Sequence, residues 1–251
     1  MPEVDNNHPI DQPDSSEAVG PVTAATQRLV RTAEQLDDDT IRRPSLCEGW
    51  SRAHVLTHVA RNADALTNLL TWASTGTETP MYESAEARVA DIEAGVSRSL
   101  EELLTDVRES AARFGSAIAQ VPEEGWEFRV RTGPAAAGSP VPARRVVWLR
   151  LRELEIHHVD LAAGYSPQDW PPQFVARALR ESLRAVGRRD EVPSFTAVVD
   201  GRPERVGSGG GSTVRGRAPA VLAWLTGRST GADLEVEPDG APPAIPPGAW
   251  L

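Results

Sequence analysis

The sequence predicts an α+β protein in which an N-terminal four-helix bundle is followed by a smaller C-terminal α+β domain. Between residues 21 and 165, apolar residues recur every three or four positions in four segments, which is the period of amphipathic helices. From residue 168 to residue 251 the segments are shorter, and runs such as FTAVVD alternate as strands do. Residues 1–20 are acidic and rich in proline, so we expect them to form a disordered extension.

The helices of the predicted bundle have recognisable boundaries. Ser51 is a favourable N-cap for the second helix, which is expected to end at Ser74-Thr75-Gly76. The third segment contains a break around residues 95–99, and the stretch 123–142 is rich in turn residues, which predicts a loop or a short hairpin. The predicted helices cover residues 21–36, 51–76, 84–120 and 142–164.

The C-terminal segments mix both periods. A helix is predicted first, then a strand, a second strand within a glycine-rich region, a short helix and a last strand. In order, these predictions cover residues 174–187, 195–200, 204–215, 219–227 and 232–238.

Composition excludes several classes of function. The formal net charge is −10, whereas a nucleic-acid-binding protein needs a basic surface. All 26 basic residues are arginines, so chemistry that requires a lysine is excluded. The single cysteine, Cys47, precludes an intramolecular disulfide, and no apolar run reaches the roughly 20 residues of a membrane span. We therefore expect a cytoplasmic protein, acting as a monomer, with neither nucleic acid nor membrane as a partner.

Two helices of the predicted bundle carry metal-ligating side chains at helical spacing. Glu153 and His157 are four residues apart in RELEIHHVDL (152–161), and His54 and His58 are four apart in the second helix. Residues at this spacing project from one helix face. Carboxylates and imidazoles on facing helices are how metal sites are built in bundles, and three protein ligands with a fourth position open are typical of catalytic zinc.

Other interpretations of these residues remain open at this stage. A histidine pair four residues apart also occurs on ordinary surfaces, and Glu153 could pair with a neighbouring arginine. We expect Glu155 to be a solvated charge, His158 to be packed or to lie behind the ligands, and Cys47 to be a small packed residue rather than a nucleophile. Spacing alone does not choose which three side chains bind the metal.

Three stretches carry a resemblance to a known family: SLCEGWSRAHVLTHVARNADALTNLLTWASTGTETPMY, RELEIHHVDL and the closing GAWL. They resemble the mycothiol-dependent maleylpyruvate isomerase family, which belongs to the DinB-like metal-binding bundles. The resemblance extends over most of residues 21–251 and is strongest at 45–90 and 146–162.

The resemblance implies specific site residues. It places a zinc ion on His58, Glu153 and His157, and leaves His54 to orient a ligand or to cap its helix. The family pattern also has two arginines, which match Arg88 and Arg228 here. Another divalent metal remains an alternative, because such sites follow affinity order and availability.

The activity implied is the cis–trans isomerisation of maleylpyruvate to fumarylpyruvate, within gentisate-type degradation of aromatic compounds. A zinc-activated thiolate of mycothiol would add reversibly to the double bond, and the two arginines would hold the dicarboxylate substrate and stabilise the charge that develops. Two alternatives are a mycothiol-dependent S-transferase acting on electrophiles, and a non-catalytic metal-binding regulatory module.

Overall fold

The computed structural model describes residues 15–133, 140–208, 210–238, 240–246 and 248. The chain divides into two compact units, Met1–Ala163 and Gly164–Leu251. Together they confirm the predicted α+β class with its helical bundle. The helices are α1 (Ser15–Ala33), α2 (Arg52–Thr75), α3 (Ala85–Gly95), α4 (Leu100–Gln120), α5 (Arg144–Asp160), α6 (Pro172–Val186) and α7 (Ala218–Leu225). The strands are β1 (Arg129–Arg131), β2 (Pro140–Pro142), β3 (Phe195–Val199), β4 (Arg202–Val206), β5 (Thr213–Gly216) and β6 (Glu235–Glu237).

The first unit is a four-helix bundle with one added helix. Helix α2 packs against α4 and α5, and α1 packs against the same two helices from the other side. The shorter α3 packs against α2. The predicted break in the third segment is confirmed, since α3 ends at Gly95 and Ser99 caps the start of α4. The predicted turn-rich stretch contains the antiparallel β1–β2 hairpin, whose residues 134–139 lie outside the described part of the chain.

Helix α1 begins at Ser15, six residues before the predicted start at Pro21. It therefore includes the last six residues of the segment that we expected to be disordered. The remainder of that predicted extension, residues 1–14, lies outside the described residues. None of the helices in the described ranges is both long enough and apolar enough to cross a membrane.

Helix α5 is buried on more than one side, which explains why its apolar pattern is interrupted by charges. The prediction that Glu155 is solvated was wrong, because its side chain is fully buried in an ion pair with Arg28 of α1. His158 is also buried, and its Nε2 lies 2.7 Å from Oγ1 of Thr32. Arg150 is fully buried, and its Nη1 donates to the carbonyl oxygen of Val59 in α2. These polar contacts link α5 to α1 on one side and to α2 on the other.

The second unit contains a four-stranded sheet in the order β4-β3-β5-β6. Strands β3 and β4 form an antiparallel hairpin, β3 and β5 run parallel, and β5 and β6 are antiparallel. The single strand predicted within residues 204–215 is instead two strands, because the glycine-rich segment between them turns the chain. Helices α6 and α7 pack against each other in this unit.

Candidate active site

Two side chains of α5 and one of α2 bring three metal-ligating atoms together in the first unit. Nε2 of His58 lies 3.0 Å from Oε2 of Glu153 and 3.1 Å from Nε2 of His157. The third side of this triangle, from His157 Nε2 to Glu153 Oε2, is 3.4 Å. The structure therefore groups the three residues that the family resemblance implies, although they lie on helices about ninety residues apart in sequence.

The dimensions of this triangle fit a zinc ion. Tetrahedral zinc with ligand distances of about 2.0–2.2 Å separates neighbouring ligand atoms by about 3.3–3.5 Å. The observed separations of 3.0–3.4 Å come close to that range without any change in helix positions. Two imidazoles and one carboxylate are also the donor set of hydrolytic zinc centres. The three residues present therefore fit the metal that the family implies.

His54 does not join the triangle. Its Nδ1 accepts a hydrogen bond from the backbone N–H of Ser51, and Ser51 Oγ accepts one from the N–H of His54, which completes a capping box at the start of α2. Nε2 of His54 lies 3.4 Å from a carboxylate oxygen of Glu93. The histidine nearer the helix start thus caps the helix, and the one a turn later faces α5.

The environment shifts the pKa values of His58, Glu153 and His157 in different directions. Burial, reinforced by the nearby charge of His157, lowers the pKa of His58 from 6.5 to about 4. Burial opposes the charged forms of His157 and Glu153 as well, but their hydrogen bonds outweigh it. The pKa of Glu153 is therefore held well below its ordinary value, and that of His157 is raised well above its own. These shifts favour a neutral His58 and opposite charges on Glu153 and His157.

Asp160 is a site residue that sequence reasoning missed. Its carboxylate is 2 % exposed, and Oδ2 lies 2.8 Å from Nδ1 of His157, on the side of the ring away from Glu153. A carboxylate at this nitrogen fixes the orientation of a metal-binding imidazole and raises its basicity. The signal was available in the sequence, since Asp160 follows His157 by three residues within the same motif.

Cys47 also lies beside His157, whereas we expected it to be simply packed. Cys47 is half-buried, and its thiol contributes to the raised pKa of His157. Cys47, His157 and Asp160 each offer one ligand atom, and these atoms all lie within 4.8 Å of one another. Trp50 follows Cys47 by three residues in the same loop. The centre of its ring lies 5.4 Å from the centre of the His58 ring, so Trp50 borders the site.

The two predicted arginines are placed in different units. Arg88 of α3 brings its Nη2 to 3.2 Å from Nδ1 of His58, and its guanidinium lies 5.7 Å from the centre of the Tyr82 ring. Arg228 follows α7 in the second unit, where its Nη1 donates to the carbonyl oxygen of Thr226 at 2.6 Å. Tyr82 was not singled out from the sequence, and burial raises the pKa of its hydroxyl against the opposing effects of the nearby Arg88 and Asn62.

Comparison with known proteins agrees with this geometry. The family model described as "Mycothiol maleylpyruvate isomerase N-terminal domain" matches residues 22–162. Two crystal structures are similar to the chain, one titled as the mycothiol-dependent maleylpyruvate isomerase and the other as a His-to-Ala mutant of it, with TM-scores of 0.82 and 0.84. Each is 30% identical to this chain and the similarity covers 92% of it and 96% of the other chain. A search of curated proteins gave no match.

These matches confirm the resemblance found in the sequence. The family model spans more than half of the chain, and the structural similarity extends over nearly all of it. The chain therefore belongs to the family of the mycothiol maleylpyruvate isomerase N-terminal domain, and it is an enzyme.

Proposed function

We propose that the enzyme isomerises maleylpyruvate to fumarylpyruvate with mycothiol as the thiol cofactor, in gentisate-type aromatic degradation. The observation that carries the proposal is the convergence of His58, Glu153 and His157 beside Arg88, in a chain of this family. Three protein ligands leave one zinc position for an exogenous group, as in catalytic sites. Zinc held there would supply the charge that keeps the sulfur of mycothiol deprotonated near neutral pH.

The reaction requires a bond that can rotate where the substrate has a double bond. Reversible addition of a thiolate to one alkene carbon provides it, and expulsion of the same thiolate after rotation restores the double bond and returns the thiol unchanged. Addition moves negative charge onto the conjugated carbonyl. A cationic group next to the reacting carbons therefore lowers the barrier.

Arg88 is our candidate for that cationic group. Its guanidinium contacts Nδ1 of His58, across the imidazole ring from the nitrogen that would bind the metal, which makes Arg88 a cation close to the proposed site. Tyr82 would help to keep the guanidinium in place, because the guanidinium lies over the face of its ring. We further propose that Arg228 binds a substrate carboxylate, because the planar fork of arginine matches a carboxylate with two hydrogen bonds.

Asp160 and Glu153 would support the site in different ways. The carboxylate of Asp160, with Oδ2 2.8 Å from Nδ1 of His157, would favour the tautomer with the proton on Nδ1 and so leave Nε2 free to bind the metal. Glu153 would bring a negative charge to a site surrounded by low-dielectric protein. This charge would favour the binding of a divalent cation over that of a neutral ligand.

The deciding experiment is the initial rate of maleylpyruvate isomerisation by zinc-loaded enzyme, with and without mycothiol. We expect turnover only with mycothiol, and a loss of about a hundredfold or more in kcat/KM for Arg88→Ala, the usual cost of removing one group that stabilises developing charge. Arg113→Ala is the matched control, because Arg113 is half-exposed and pairs with Asp64 on the bundle surface. Turnover without any thiol, or none with zinc and mycothiol both bound, would refute the assignment. Thiol transfer to electrophiles in the latter case would support the S-transferase alternative.

A further inference from the structure

A second group of metal-ligating side chains shares His157 with the first group. It consists of Cys47 from the loop before α2 and of His157 and Asp160 from the last turn of α5. Nδ1 of His157, not Nε2, faces Asp160. Asp160 therefore faces the nitrogen of His157 that does not face Glu153 and His58.

The loop that carries Cys47 is held firmly against α5. The backbone N–H of Leu46 donates to the carbonyl oxygen of Asp160 at 2.9 Å. Within the loop, the N–H of Cys47 donates to Oγ of Ser45, and the N–H of Trp50 donates to the carbonyl oxygen of Cys47. Backbone hydrogen bonds of the loop thus hold Cys47 next to His157.

The chemistry of this group suits a particular class of ion. A thiolate and a carboxylate together carry two negative charges, which balance a divalent cation, and sulfur with imidazole favours borderline and soft metals over magnesium or calcium. Cys47 also lines an open cleft of about 500 Å³, so an ion can reach the thiol from solvent and keep a water ligand.

We propose that Cys47, His157 and Asp160 form a second metal site that takes a thiophilic divalent cation such as cadmium, or zinc in excess. On binding, the thiol proton and the Nδ1 proton leave to solvent, and no electrons are transferred. An ion at Nδ1 takes up the carboxylate that would orient the ring and places a second dication across the imidazole from the first site, where the two cations repel each other. We therefore expect occupancy of the second site to weaken metal binding at His58, Glu153 and His157. This consequence rests on the proposed catalytic site, whereas the existence of the second site does not.

The test is a cadmium titration of the full-length protein already loaded with one zinc per chain, followed by the ultraviolet charge-transfer band of cadmium thiolate. Cys47 is the only cysteine, so the band reports on this residue alone. We expect the band to saturate at one cadmium per chain and to be absent in Cys47→Ser. Asp160→Asn should weaken the apparent cadmium affinity at least tenfold. Glu48→Gln, an exposed carboxylate in the same loop, should change it less than twofold.

A second measurement needs no substitution at Asp160. Cadmium-113 NMR of the wild-type protein labelled with ¹⁵N-histidine should show coupling between the metal and Nδ1 of one histidine. Absence of the band, absence of this coupling, or equal affinity in Asp160→Asn would mean that cadmium binds the thiol alone, and would overturn the proposal. None of these readouts uses isomerase activity, so their failure is distinct from failure of the proposed function.

Discussion

Nη2 of Arg88 lies 3.2 Å from Nδ1 of His58, and an arginine can only donate at that contact. Nδ1 must therefore be the acceptor, and since His58 is neutral, its proton is on Nε2, where it faces Glu153. A metal needs the lone pair of Nε2, which moves the proton to Nδ1. Two donors would then face each other, so this contact and a metal on Nε2 are incompatible.

We therefore predict that zinc binding breaks the contact between Arg88 and His58 and releases the guanidinium for substrate. The measurement is ¹⁵N NMR of the histidine side chains, in which His58 should change from the Nε2–H to the Nδ1–H tautomer as zinc is added. His158, which hydrogen-bonds to Thr32 away from the triangle, is the internal control and should keep its signals. An unchanged His58 tautomer at full zinc occupancy would contradict the prediction.

Asp160→Asn should weaken zinc binding by about 10- to 100-fold, the usual cost of removing a carboxylate that orients a metal-binding histidine. The amide keeps the size of the side chain but cannot accept the Nδ1 proton with a full negative charge. Competition with a chromophoric chelator measures the affinity. Asp106→Asn, which alters a carboxylate paired with Arg61 on the bundle surface, should leave it within twofold. Equal zinc affinities for the two variants would exclude a role for Asp160 in orienting His157.

Zinc affinity should rise with pH through the neutral range. Because its pKa is raised, His157 keeps a proton in the metal-free protein at neutral pH, and this proton must leave before Nε2 can bind zinc. One displaced proton makes the affinity about tenfold greater per pH unit, until the pH exceeds the pKa of His157. Calorimetry in buffers of different ionisation enthalpy should detect about one proton released per zinc at pH 7. Release of no proton would show that His157 is already neutral.

Tyr82→Phe should raise the KM for substrate about tenfold while leaving zinc content unchanged. The ring still lies against Arg88, but the hydroxyl, whose pKa burial raises and the guanidinium lowers, is lost, and a hydrogen bond from a hydroxyl to a charged group contributes about 1.5 kcal/mol or more. Steady-state kinetics at saturating mycothiol separate KM from kcat. Tyr165→Phe, in the second unit, provides the matched loss of a hydroxyl and should leave both parameters unaltered.

Gly95→Ala should destabilise the protein by about 1–3 kcal/mol, the range for overpacking a filled contact. A Cβ at Gly95 would lie 2.3 Å from Cγ2 of Thr57, the residue before His58. Gly115→Ala is the control, since a Cβ there meets nothing within 4 Å and should stabilise α4 by about 0.5–1 kcal/mol. Urea unfolding measures both values. If Gly95→Ala is neutral while Thr57 is intact, the contact between α2 and α3 is looser than the structure indicates.

Local sequence was sufficient for the parts of the site that belong to one helix. The spacing of Glu153 and His157 places both on one face of α5 because a helix turns every 3.6 residues. Ser51 and Gly76 likewise mark the ends of α2 through the backbone groups that they cap or release. The arginines required the family resemblance, since nothing in the local pattern distinguishes Arg88 from the other basic residues.

Only the tertiary structure determined which side chains on different helices contact one another. Spacing offered His54 and His58 equally, and the packing of α2 on α5 turns His58 inward while His54 caps its own helix. The burial of Glu155 against Arg28 was missed for the same reason, because a charge is predicted as exposed until its partner on another helix is known. A sequence thus determines which side chains share a helix face, whereas the packing of that face determines which of them meet.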